Sequence, residues 1–174
     1  MLKRLILPAA LLLAITPAAF AQQPAKAPAT TAAQPAQQKL TPEQQQAIMK
    51  FRQSMAANAE AITNLIDQGK AGDVWDQASS VAKQSISRND FVSGVSKQRD
   101  NAGKLVSRKL AAVTHSVSKG EQKLPPGDYI NVVFATRFSS EKAPIRELVS
   151  YHYDTDKVWR VSGYTLQQPA TAKR

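Results

Sequence analysis

The sequence predicts an α+β domain with its helices ahead of its sheet, on three observations. Apolar residues recur at three- and four-residue spacing from Thr41 to about Gly103, the period drops to two from Leu105 onward, and no helical segment separates the later strands. Alternating strand–helix–strand units would build a parallel sheet, whereas helices followed by a run of strands pack on one face of an antiparallel one. The expectation is three N-terminal helices on a curved, cone-like, four-stranded antiparallel sheet, the domain occupying residues 41–168.

Thr41-Pro42-Glu43 supplies a capping hydroxyl, a proline whose missing N–H costs nothing in the first turn, and an acid at the positive end of the helix dipole. Ile48, Phe51, Met55, Ala59, Ile62, Leu65 and Ile66 then lie on one stripe, which predicts a helix to about Gln68, stopped by Gly69. A partner-seeking coiled coil would use the same stripe, but one such segment alone favours packing on the chain's own sheet. Gly72-Asp73 is read as the start of a second helix over 74–85, with Trp75, Ala78, Val81 and Ala82 on one face. Ser87 and Asp90 have capping-box spacing before a third helix marked by Phe91, Val95 and Gln98 and closed near Gly103.

From Leu105 the alternation through Val113 predicts a first strand. After a polar loop with Gly120 and Pro125-Pro126-Gly127, residues 129–138 place Ile130, Val132, Phe134, Thr136 and Phe138 on one face. Residues 145–154 and 158–167 form two further strands, joined so tightly through Thr155-Asp156-Lys157 that they make an antiparallel hairpin.

The N-terminus reads as a secretion address. Lys3 and Arg4 precede an apolar run over 5–15, and Ala19-Phe20-Ala21 is a small-x-small cleavage pattern, so residues 1–21 are expected to be a removed signal peptide. A membrane anchor is the competing reading, but the run is shorter than the roughly 20 residues that cross a bilayer. Residues 22–40, almost all Gln, Pro, Ala, Thr and Lys, are expected to be a disordered linker, and 169–174 a disordered tail. The chain is then exported, periplasmic or secreted, and does not span the membrane once the signal is gone. It has no cysteine, which excludes disulfides, thiolate catalysis and Cys-ligated metals.

Arg99 and Gly103 ahead of Arg108, Leu124-Pro125 with Gly127 and Tyr129, Val133-Phe134 with Thr136 and Phe138, Glu147 with Val149, and Trp159-Arg160-Val161 with Gly163-Tyr164 follow one another in a distinctive order. In order and spacing the chain resembles the bacterial domain-of-unknown-function family 4019 over residues 60–167. The resemblance implies a secreted protein without an assigned activity. Helices before a curved sheet also resemble, at the level of fold alone, the nuclear transport factor 2-like cone, in which sheet and helices enclose a pocket.

Candidate sites are few. His115 and His152 stand in no metal-helix or nucleophile-turn spacing, and no catalytic residue, metal or cofactor is expected. An enzyme centred on His152, with Asp154 on the same strand face, or on Glu147 is a minor alternative. Glu147, with Arg160 and Arg137 expected beside it, is read either as a structural cross-strand ion pair or as the polar centre of a ligand pocket walled by Tyr129, Tyr151 and Tyr164.

The net charge of +10 is concentrated between residues 83 and 123, where nine basic groups face three acidic ones. Lys97, Arg99, Lys104, Arg108 and Lys109 are therefore candidates for binding an anionic envelope component. Nucleic acid is not expected, given export and the lack of interleaved aromatics. The reading is a non-catalytic binding or envelope accessory protein, with a pocket for a small polar or amphipathic ligand as the alternative.

Overall fold

A computed structural model describes residues 40–120 and 124–167. The expected signal peptide, the linker before Leu40 and the tail at 169–174 lie outside the described residues. Helix α1 spans Pro42–Asp67. Its start is a full capping box: the Thr41 hydroxyl accepts the Gln44 N–H at 3.3 Å while the Gln44 side chain accepts the Thr41 N–H at 2.9 Å. Met55, Ala59, Thr63 and Ile66 are its buried face. Ile48 and Phe51 continue the same stripe toward the N-terminus but stay 36% and 39% exposed, with the Phe51 ring 6.1 Å from that of Trp159. Gly69, at φ +75°, closes α1, and the Lys70 N–H turns back to the Leu65 carbonyl.

The single second helix expected over 74–85 is two short helices, α2 (Ala71–Asp76) and α3 (Ser80–Ser85), so four helices precede the sheet where three were expected. The break has a visible cause at Ser79. Its N–H donates to the Val161 carbonyl at 2.8 Å, on the last strand, and its hydroxyl accepts the Ala82 N–H at 3.1 Å as the cap of α3. A continuous helix would forfeit both bonds and leave a strand-edge carbonyl unpaired. Helix α2 begins at Ala71, earlier than Gly72-Asp73 suggests, and Lys70 at its cap makes no side-chain cap bond. Helix α4 spans Arg88–Ala102; Ser87 caps it by accepting the Asp90 N–H at 3.1 Å.

Strands β1 (Leu105–Ser118), β2 (Gly127–Phe138), β3 (Ile145–Tyr153) and β4 (Trp159–Gln167) form one antiparallel sheet in that order. The unbroken alternation expected for β1 is interrupted. Leu110 lies opposite Phe134 and Ala112 opposite Val133, so Ala111 is an extra residue, a bulge that changes which parity faces the helices. Arg108 before the bulge and Val113 after it therefore both point inward, one to Glu147 and one to the core.

The β3–β4 hairpin turns at 154–158, closed by the Asp154 N–H on the Val158 carbonyl, with Lys157 in the left-handed region. The rings of His115 on β1 and Trp159 on β4 lie 6.4 Å apart, though two strands separate them and flat spacing would hold the backbones about 14 Å apart.

Helix α1 packs on β1, β2 and β3, and α3 and α4 pack on β4. Ile130, Val132, Phe134, Val149, Tyr151, Val161 and Tyr164 of the sheet meet Met55, Ala59, Ile66, Val74, Phe91 and Val95 of the helices in one core. Helix α4 ends at Gly103, with φ +85° and ψ −159°, where the chain turns into β1. A Cβ there would stand 2.4 Å from the Ser139 hydroxyl and 3.1 Å from the Ser140 backbone nitrogen. Gly103→Ala is expected to destabilise the protein by about 1–3 kcal/mol, read as a lower urea midpoint.

Candidate functional site

Two places on the inner face of the sheet hold buried polar groups, and they differ in kind. At the first, Glu147 of β3 is 0% exposed. Arg108 of β1 grips it with Nε at 2.6 Å and Nη2 at 3.0 Å, the Thr136 hydroxyl of β2 donates at 2.6 Å, and the Tyr164 hydroxyl of β4 donates at 2.8 Å. Arg108 also reaches Asp67, in the last turn of α1, at 2.9 and 3.1 Å. Arg99 of α4 completes the group: it is bonded to Asp67, stands 3.7 Å from Glu147 and stacks 4.3 Å above the Phe138 ring. Two carboxylates balance two guanidiniums, and every oxygen of Glu147 is taken by the protein's own donors.

The neighbours expected for Glu147 are elsewhere. Arg137 is exposed on the opposite face of β2, one residue out of phase with Thr136. Arg160 lies opposite His152 in the register, whereas Glu147 lies opposite Leu166. Arg160 binds Asp154 at 3.2 Å and Asp156 at 2.8 and 2.7 Å. Of the expected aromatic wall, Tyr164 touches Glu147 as a donor, Tyr151 is four residues along the same face, and Tyr129 is buried near His152 with its hydroxyl on the Pro125 carbonyl at 2.9 Å.

The basic cluster also divides. Lys97, Lys104 and Lys109 are exposed, but Arg99 and Arg108 turn inward, their side chains 14% and 8% exposed, and are held by Asp67 and Glu147. His152, 7% exposed, accepts or donates at 2.8 Å with Asp154, and its Nε2 is buried against Gly127 without a hydrogen-bond partner. Among the described residues, no group of three or more His, Asp or Glu side chains is placed to hold a metal ion.

The second place is a cleft of about 520 Å³ between α1, α2 and the start of β4. Ile62, Leu65, Val74, Val158 and Val161 give it apolar walls, Asn58 and Gln77 give it amide groups, and Trp159 and Arg160 stand along the β4 side. Tyr151 lines it too. The Tyr151 hydroxyl is buried and has no hydrogen-bond partner in the protein, which costs about 1–3 kcal/mol relative to a satisfied group. Trp159 also borders a smaller cleft of about 390 Å³, formed with Ile48, Phe51, Val113, His115 and Ile130.

A family model described as a protein of unknown function (DUF4019) matches residues 58–164, which is more than half of the chain. The chain belongs to the DUF4019 family. No curated protein and no solved structure matches it. The matched segment begins in mid-α1 and includes Asp67, Arg99, Arg108, Glu147, Tyr151, Trp159 and Tyr164.

In this DUF4019 member, Asp67 is the member of the buried network that the sequence does not mark, and Thr136 is marked only by its strand face and its place in the family's order of residues. Asp67 closes a helix in an ordinary acidic position, and nothing local marks its pairing with an arginine 41 residues on. Burial pushes the Arg108 guanidinium toward lower pKa, but its bonds to Asp67 and Glu147 outweigh that and hold it above the ordinary arginine value. Burial, reinforced by the adjacent Glu147 charge, pushes the Tyr164 hydroxyl well above the ordinary tyrosine value, and burial alone does the same at Tyr151.

Two outcomes follow for this DUF4019 protein. Glu147→Gln leaves Arg108 with a neutral partner inside the fold and is expected to cost about 3–5 kcal/mol in urea unfolding. Unfolded tyrosines ionise near pH 10, while folded Tyr151 and Tyr164 keep their protons to higher pH. The folded state therefore binds more protons above about pH 10, and stability present below that pH is lost as pH rises. Each tyrosine contributes a slope of up to about 1.4 kcal/mol per pH unit. Replacing either by Phe should remove its share of the slope in alkaline unfolding curves.

Proposed function

We propose that the protein is an exported, non-catalytic binding protein that holds a small amphipathic ligand in the cleft between α1, α2 and β4. The observation that carries this reading is the Tyr151 hydroxyl, enclosed beside an apolar-walled cleft and left without a partner. Buried polar groups almost always find a partner within the fold, and one that does not is a candidate for a partner from outside. The cleft's size and mixed lining are those of small-molecule sites, mostly apolar with a few polar groups that set orientation.

Export rests on Lys3, Arg4, the apolar run at 5–15 and Ala19-Phe20-Ala21. No helix among the described residues is long and apolar enough to cross a membrane. The cone-like reading, and with it the likeness to the nuclear transport factor 2-like fold, is supported by the close approach of the His115 and Trp159 rings. Glu147 is not the ligand's partner in this proposal, because four protein donors already occupy it. An anionic-surface role draws on Lys97, Lys104 and Lys109 without Arg99 and Arg108, whose charges are neutralised in place.

Ala61 tests the proposal, since it lines the cleft from an exposed position on α1. Nile red, an uncharged dye that brightens in apolar surroundings, is expected to fluoresce with the wild-type protein, and Ala61→Trp should fill the cleft and abolish the signal without lowering the melting temperature. Undiminished dye binding by Ala61→Trp would move the site elsewhere.

A further inference from the structure

The polar groups around the cleft say which chemistry it receives. Arg160 is the only charged side chain among the cleft's described lining residues. Its guanidinium is committed to Asp154 and Asp156, two carboxylates against one cation, so no positive charge is left over for an anionic ligand. Asn58 and Gln77 are neutral amides, and the remaining walls are apolar. Among the cleft's described lining residues, the buried polar atom without a partner is the Tyr151 oxygen, on a side chain 4% exposed. A buried phenol hydroxyl without a partner offers its O–H to an acceptor brought from outside the fold.

Resting on the cleft being the binding site, we infer that its ligand is an uncharged amphiphile whose head is a hydrogen-bond-accepting oxygen, such as a ketone, ester, lactone or amide carbonyl, received by the Tyr151 hydroxyl. An acid of the same length is disfavoured, because its carboxylate must shed water in a cleft whose one guanidinium is already held by Asp154 and Asp156. A primary ammonium is disfavoured as well, because the phenol oxygen is a weak acceptor and the Asp154 and Asp156 carboxylates are already held by Arg160, so its lost hydration goes uncompensated. Burial raises the Tyr151 pKa, which keeps the hydroxyl a donor across the neutral range. The hydroxyl has no solvent contact of its own, so the ligand reaches it as a lining side chain moves aside; Gln77, exposed and long, can turn outward without disturbing the core.

The experiment is calorimetric titration of the purified full chain with octan-2-one, octanoate and octylammonium at one salt concentration. The three share a tail and differ in the head. The ketone is expected to bind at least about tenfold more tightly than either ion, the size of one hydrogen bond together with an uncompensated charge. Tyr151→Phe, which removes only an unpaired oxygen, should keep the fold and hold or raise the melting temperature while lowering ketone affinity about tenfold. Ketone binding indifferent to Tyr151→Phe overturns the role of the hydroxyl. Octanoate or octylammonium binding as tightly as the ketone overturns the uncharged class while the cleft stands. Failure of all three to bind, or binding that survives Ala61→Trp, removes the cleft itself.

Discussion

One buried carboxylate sets the geometry of this fold. Glu147 receives donors from β1, β2 and β4, and through the two arginines it is joined to α1 and α4. Every strand of the sheet therefore contributes a side chain to one network, and two of the helices are fastened to it by charge. Burying four ionic groups is costly in desolvation, and such a cluster adds little net stability over an apolar core of equal volume. Its strength lies in intolerance of error. A one-residue slip of any strand would carry its donor to the outer face and leave a carboxylate or guanidinium unpaired, so the register is held by a penalty far larger than a lost apolar contact.

The bulge at Ala111 belongs to the same constraint. With strict alternation, Arg108 and Val113 would face opposite ways, and β1 could serve either the network or the core. The extra residue lets it do both, at the price of a local break in an edge ladder. The inward turn of Arg108 also explains why a sequence so basic between residues 83 and 123 does not present all of that charge to solvent.

Much of the fold was legible because it is periodic. The long helix, the switch of period at Leu105 and the tight turn before β4 each follow from local spacing, and all three stand in the structure. The second helix was misjudged because its break depends on the Val161 carbonyl, 82 residues away in sequence from Ser79, and no local pattern reports that bond. Glu147 was recognisable as the notable carboxylate, yet its partners were not.

Parity decides against Arg137, which is one residue out of phase with the inward Thr136. Register decides against Arg160: Leu166 is the residue opposite Glu147, six positions away, or about 20 Å along a strand. Tyr164, two residues from that opposing position and on the same face, is the diagonal neighbour that hairpin geometry favours.

The two inward tyrosines offer an internal comparison. Tyr164 and Tyr151 occupy adjacent strands, both nearly out of solvent, both in the same core. One hydroxyl is given a carboxylate at 2.8 Å; the other is given nothing. Phenylalanine would fill the Tyr151 position with almost the same shape and without the penalty of an unmet donor, so packing alone does not account for the oxygen. The unmet hydroxyl lies beside an apolar-walled cleft next to β4, and Trp159 and Arg160 from the chain's most distinctive segment border the same space. Network and cleft thus divide β3 between them, with Glu147 fixing the strand and Tyr151, four residues on, left available.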